Sequence, residues 1–260
     1  YYASAGAQAL NDLNPVLGIE LTATPKTVGA NPRDFRNIIY HYPLSRALKD
    51  GYVKIPAVAT RKDFRAANYS EEQLEKIKLE DGIHHHEYVK TELTSFANNT
   101  GNKLVKPFML VVAQDTDHAD RLKARIEHDE FFNGAYRGKV ITVHSNLTGE
   151  ESEETMQRLL TVEHDKDTEI VIHVNKLKEG WDVTNLYTIV PLRASASEIL
   201  TEQTIGRGLR LPYGKRTGVE AVDRLTIIAH DRFQEIIDRA NNDDSIIKKV
   251  LYIGLDDDEN

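Results

Sequence analysis

Short apolar runs alternate with amphipathic stretches along most of this chain, and that alternation restricts its fold more than any other feature. Residues 108–113, 139–143, 170–174, 187–190 and 225–229 are strand-length and nearly unbroken in apolar side chains. Residues 116–128, 150–161, 196–210 and 231–241 read as helices. A strand that is apolar at every position must be covered on both faces, and strand–helix–strand units wind right-handed around a parallel sheet. The expected class is α/β, a parallel sheet with helices on both faces. In such folds ligands sit beyond the carboxyl ends of the strands. Upstream the rhythm is looser. Residues 16–21 and 38–40 read as strands, 44–49 as a short helix closed by Asp50-Gly51, and 53–59 as a strand despite Pro56. Residues 71–97 follow the capping box Ser70-Glu71-Glu72-Gln73 and read as one or two helices. Their mixture of charged and apolar positions is that of a solvated insertion.

Composition excludes several classes. A chain of 260 residues is long enough for one or two domains with a real core. It has no Cys, which removes disulfide scaffolds, thiolate zinc sites and thiol nucleophiles. That fits a reducing compartment, and a cytoplasmic location is expected. No apolar run reaches the roughly 20 residues of a membrane span, so no membrane partner is expected. The formal charge is −8, but it is unevenly spread. Residues 127–169 hold eleven acids and four bases, and Asp256, Asp257, Asp258 and Glu259 close the chain. With both segments set aside, 29 bases face 26 acids. The acidic total therefore leaves room for a polyanionic partner, which needs only a local basic face. The chain opens on Tyr1-Tyr2 without Met, and reads as a piece of a longer polypeptide.

Three segments carry chemistry. The first is Gln203-Thr204-Ile205-Gly206-Arg207-Gly208-Leu209-Arg210. Ser195-Ala196-Ser197-Glu198 supplies a capping box before it and Leu211-Pro212 a stop after it, so it lies in a helix. Gln203, Arg207 and Arg210 then share one helix face. Two guanidiniums and an amide together form a clamp for phosphate oxygens. The plain alternative is a surface helix whose arginines pair with acids. Each glycine costs a helix about 1 kcal/mol relative to Ala, which is usually tolerated where another backbone or a ligand comes close. The second segment, Asn175-Lys176-Leu177-Lys178-Glu179-Gly180-Trp181-Asp182-Val183-Thr184, follows a strand. Asp182 offers a carboxylate to a ribose hydroxyl or a metal-bound water, and Asn175 and Lys176 suit a phosphate backbone. The alternative is a turn around a packed Trp181. The third, Thr22-Ala23-Thr24-Pro25, also follows a strand, where Ser and Thr often serve only as turn residues.

In this order the segments resemble the motor core of helicase superfamily 2, and within it the restriction (Res) subunits of type III restriction-modification enzymes. Leu21-Thr22-Ala23-Thr24-Pro25 resembles motif III, and Phe108-Met109-Leu110-Val111-Val112-Ala113 motif IV. Lys178-Glu179-Gly180-Trp181-Asp182-Val183 resembles motif V, and residues 203–210 motif VI. The wording around Trp181 and the run Gly206 to Pro212 point to type III Res. The resemblance implies two RecA-like domains with ATP and Mg²⁺ in the cleft between them, both held mainly by the first domain. It implies that Arg207 and Arg210 face the terminal phosphate, one of them as arginine finger. Gln203 and Gly206 would belong to that ATP-contacting helix. Gly180 and Asp182 would line the cleft. Thr22, Ala23 and Thr24 would couple hydrolysis to the DNA track. Gln114, His144, Ser145, Asn175 and Lys176 are the candidates for nucleic-acid backbone contact, which positions DNA without reading sequence. The implied partners are double-stranded DNA, the modification methyltransferase subunit, and the rest of the same polypeptide with its first motor domain and nuclease domain.

The departures define the piece. A phosphate-cradling loop needs Gly-x-x-x-x-Gly-Lys-Ser/Thr, and neither Gly138-Lys139-Val140 nor Gly214-Lys215-Arg216 fits. No Asp-Glu pair ends a strand before residue 16. The expected division is therefore a remnant of the first RecA-like domain at 1–25, the second RecA-like domain at 26–245 with a helical insertion about 66–103, and an acidic tail or linker at 246–260. The chain alone is expected not to hydrolyse ATP. Within the enzyme class a type I restriction motor subunit or a DNA-repair helicase is the alternative. A RecA-like module that binds nucleic acid or protein without turnover is the alternative of another class. His84-His85-His86 invites a metal reading, but adjacent helical histidines point in different directions, and no metal site is expected.

Overall fold

Seven parallel strands build one sheet in the computed structural model, which describes residues 8–9, 12–21, 37–143, 149–174, 181–192, 205–230 and 249–253. The strands are β1 (Ile55–Arg61), β2 (Phe108–Val112), β3 (Val140–Val143), β4 (Ile170–His173), β5 (Leu186–Pro191), β6 (Arg224–Ile228) and β7 (Lys249–Ile253). The described helices are α1 (Leu44–Asp50), α2 (Glu71–Thr100), α3 (Thr116–Ile126), α4 (Gly149–Leu160) and α5 (Ile205–Gly208). The strand order is β3-β4-β2-β5-β6-β1-β7, and every neighbouring pair is parallel.

Alternation along each strand divides the core in two. Phe108, Leu110 and Val112 of β2 point to one face, where Leu159 of α4, Trp181, Val183, and Ile205 and Leu209 of the α5 region cover them. Met109 and Val111 point to the other face, under Leu79 and Ile83 of α2 and Ala119, Leu122 and Ile126 of α3. The assignment follows from handedness. The connections β1–β2 and β2–β3 run toward the β3 edge and lie on the α2/α3 face, while β3–β4, β4–β5 and β5–β6 run back and lie on the other. At the adjacent strands β2 and β5 the chain therefore leaves for opposite faces, which opens a crevice beyond their carboxyl ends.

Several expectations need correction. The stretch about 66–103 is expected as a helical insertion. After a short 3₁₀ turn it is one 30-residue helix, α2, which packs on β5, β2 and β6. Its Ser70 capping box is present, and Gly101 ends it with φ +69°. Polar side chains on its buried face, Lys78, Asp81, His85 and His86, gave it the look of a solvated segment. Residues 249–253, expected in a tail or linker, form strand β7, paired with β1 from Ala57↔Lys249 to Arg61↔Ile253. The chain divides into compact units at 1–43 and 44–260. In the first unit, 17–21 and 37–43 have no regular structure, and Val16, Leu17, Leu21 and Ile39 are exposed. A strand needs a hydrogen-bonding neighbour, and the described residues of that unit supply none. The helix expected at 196–210 is described only over Ile205–Gly208, and that at 231–241 lies outside the described residues. No helix among the described residues is long and apolar enough to cross a membrane.

Candidate functional site

The segment before β5 is a strap pinned at nearly every residue. Trp181 is buried, donates from Nε1 to the Leu159 carbonyl at 3.0 Å and packs 5.8 Å from the Phe108 ring. Val183 is buried one step on. The Thr184 N–H donates to the Glu163 carboxylate. Asn185 donates from Nδ2 to the Lys106 carbonyl at 2.8 Å, and its own carbonyl accepts from Phe108 N–H at 3.0 Å. Asp182 stands between two buried neighbours and so turns outward. These contacts fix the strap at the amino ends of β2 and β5, whereas the carboxyl-end rule led one to expect the whole 175–184 segment at the other edge. The connection from β4 has to cross the sheet face before β5 can run parallel.

α5 delivers the partner. Ile205 and Leu209 are buried under the sheet, Gly206 and Arg210 are exposed, and Arg207 is half-buried. Arg210 Nη1 lies 2.6 Å from Asp182 Oδ2, with the two side chains 55% and 53% exposed. This ion pair joins the two strongest motif segments. Arg207, one turn earlier, lies nearer the carboxyl end of β4. Burial first, then the Arg207 charge, pushes His173 at the end of that strand down to about 4. The helix glycines divide. A Cβ at Gly208 would meet Leu225 Cδ2 at 2.8 Å and Leu186 Cδ2 at 3.1 Å, so this glycine lets the helix lie on the sheet. A Cβ at Gly206 would meet nothing within 4 Å.

The crevice between β2 and β5 holds Gln114, whose Nε2 donates to the Leu192 carbonyl at 3.4 Å. Beside it a cleft of about 620 Å³ is lined by Gln114, Leu192, Lys78, His118 and Arg121, among others. Glu75 in its wall accepts from His118 Nε2 at 2.7 Å and Arg125 Nη1 at 3.0 Å. Burial raises its carboxyl, but these hydrogen bonds and the Arg125 and Arg121 charges outweigh it and hold the carboxyl below the usual range.

Residues 91–212 match the helicase conserved C-terminal domain. That match covers just under half of the chain. Its sequence is similar to the Res subunit of the type III restriction-modification enzyme EcoP15I of Escherichia coli, 27% identical over 125 residues, covering 48% of this chain and 12% of that one. It is similar also to the EcoPI Res subunit of Escherichia phage P1, 30% identical over 104 residues, covering 34% of this chain and 11% of that one. The chain thus spans about an eighth or less of the curated relatives it matches. In fold it is similar to a fragment of a putative HsdR subunit of a type I restriction enzyme from Vibrio vulnificus YJ016 (TM-score 0.51, 19% identity, 84% of this chain and 39% of that one).

Of the residues expected in the site, the structure brings Asp182 and Arg210 together, sets Arg207 and Gly206 on the same short helix, and puts Gln114 in the crevice. Gly180, Gln203, Thr22, Ala23, Thr24, His144, Ser145, Asn175 and Lys176 lie outside the described residues. The three adjacent histidines take three directions. His84 packs edge-on against Phe132, His85 lies beside Tyr88, and His86 Nε2 stands 3.4 Å from Glu169. His86, Glu87 and Glu169 bring ligand atoms within 4.8 Å of one another. Lys90 and Lys139 each donate to Glu169 at 2.8 Å, and Lys90 also to Glu87. The carboxylates are already neutralised by ammonium groups, so the cluster fastens α2 to the sheet. Sequence reasoning missed Lys54. A lysine ahead of an apolar run reads as a surface residue, and nothing local signals its burial.

Proposed function

We propose that residues 181–186 and 205–210 form the second-domain side of a nucleotide site in an ATP-driven DNA motor of the type III Res kind. The observation that carries this is the Asp182–Arg210 pair at 2.6 Å, which unites two motif segments 28 positions apart in sequence. Both side chains are about half exposed, so the guanidinium is open to a phosphate and the carboxylate to a ribose hydroxyl. In this reading Arg207 and Arg210 face the terminal phosphate, where an arginine finger is worth roughly 10³–10⁵ in rate. Gly180, Gln203 and Gly206 complete the nucleotide wall. Thr22, Ala23 and Thr24 couple it to DNA, whose backbone runs over Gln114, His144, Ser145, Asn175 and Lys176. The residues present fit the rim of a nucleotide and supply no phosphate cradle. ATP and Mg²⁺ are accordingly held mainly by a first motor domain. The similarity to two Res subunits supports type III over type I, and makes double-stranded DNA, a modification methyltransferase and the remainder of a Res polypeptide the partners.

Titration of Mg-ATP into the chain tests this. Weak binding is expected, weaker still for Arg210→Gln and Asp182→Asn, with no turnover. ATP hydrolysis that disappears on Arg210→Gln would overturn the division of labour between domains.

A further inference from the structure

We propose that Lys54 is a positioning residue for the Asp182–Arg210 pair. Lysine is almost never fully buried without partners, yet Lys54 has 0% exposure. Its Nζ donates to the Thr184 carbonyl at 2.7 Å and the Leu186 carbonyl at 2.8 Å, and stands 3.8 Å from the centre of the Tyr187 ring. Its N–H groups therefore have acceptors in the two carbonyls, and burial, opposed by the Glu163 and Asp223 charges, pushes the amine well below the usual lysine range.

The two carbonyls need that amine for a topological reason. The Asn185 carbonyl turns toward β2, where Phe108 N–H meets it. Those of Thr184 and Leu186 turn to the opposite edge. The ladder between β5 and β6 begins only at Thr188, so Nζ takes the place of the missing strand. The main chain of the same residue holds the other half of the site. Lys54 N–H donates to the Leu209 carbonyl at 2.7 Å, one residue before Arg210. One residue thus ties the strap that carries Asp182 to the helix end that carries Arg210. Both side chains of the pair are half exposed, so packing does not fix them and the two backbones do. The functional weight of Lys54 rests on the nucleotide reading above, while its geometry stands apart from it.

The test uses Lys54→Met and Lys54→Cys in this chain, which has no Cys of its own. The single thiol of the Lys54→Cys variant is alkylated in denaturant to its S-aminoethyl form, which restores an amine at lysine length, or to its S-propyl form, which does not. Each form is then refolded. Two signals are read: amide hydrogen exchange, and the Arg210 Nη resonance that Asp182→Asn abolishes. In the Met and S-propyl forms exchange at 181–186 rises by about tenfold or more, as loss of the two hydrogen bonds from Nζ requires. The Arg210 signal is lost, β2 and β4 keep their protection, and the S-aminoethyl form restores both signals. A Met form that keeps both signals overturns the proposal. So does faster exchange spread over the whole sheet, an S-aminoethyl form that restores nothing, or a chain that folds only with the amine, since each gives Lys54 no role or a purely structural one. Absence of ATP binding by the unaltered chain would remove the nucleotide reading and leave these outcomes to decide Lys54.

Discussion

A methyl group added at Gly208 would lie 2.8 Å from Leu225 Cδ2, inside a core where Leu225 has 0% exposure, whereas at Gly206 it would meet nothing. The sequence presents the two positions as equivalent, and packing separates them. Gly208→Ala is expected to cost roughly 1–3 kcal/mol through overpacking. Gly206→Ala is expected to be neutral or to stabilise by up to about 1 kcal/mol, because it removes a helix glycine without a clash. Urea midpoints at constant slope read both changes. If Gly206→Ala instead weakens ATP binding at unchanged stability, its exposed backbone belongs to the nucleotide wall. A loss of stability at Gly206 equal to that at Gly208 would contradict this division.

At the scale of elements, α2 is where polar groups hold a helix to a sheet. Gly82 lets it approach so closely that a Cβ there would lie 2.5 Å from Val190 Cγ2. Toward its start, Asp81 accepts two hydrogen bonds from Arg61 at 2.7 Å each and one from His230 at 2.7 Å. Further along, Glu169 gathers Lys90, Lys139 and His86, and despite burial these hold its carboxyl well below the usual range. Glu169→Gln strands two ammonium groups that are about a third exposed. The expected loss is roughly 2 kcal/mol, less than for a fully buried pair because water reaches the lysines. A urea midpoint unchanged by the substitution would show that the network contributes nothing. The strands β2 to β6 were legible because burial on both faces writes an apolar residue at nearly every position. α2 was legible as helix but not as core, since Lys78, Asp81, His85 and His86 occupy its buried face. β7 escaped notice because Lys249–Ile253 is short and stands next to acids. The Asp182–Arg210 pairing was legible as two motifs, while its location at the amino ends of the strands depends on a crossing that no local pattern encodes.

For the whole molecule two buried histidines, His85 and His173, shape the response to acid. Burial, with smaller contributions from Arg224 and His86, pushes His85 down to about 3, and burial with Arg207 pushes His173 down to about 4. The unfolded chain takes up these protons near pH 6.5, so the folded state binds fewer protons between that pH and about 3 or 4, and stability falls as pH falls through this window. At pH 5 each histidine costs about 2 kcal/mol, a large part of a typical stability of about 5–15 kcal/mol. Urea midpoints measured from pH 7.5 to 4.5 are expected to drop steadily, with a shallower drop in His85→Leu or His173→Leu. A flat profile down to pH 5 would count against both.

Trp181 has one more consequence. It is the only tryptophan in the chain, and it is fixed in the core beside the outward-facing Asp182. The whole indole emission of the chain therefore originates one residue from the candidate site. A nucleotide titration, an exchange of one guanidinium partner for another, or the first loosening of the strap in urea can each be followed optically in the unlabelled chain.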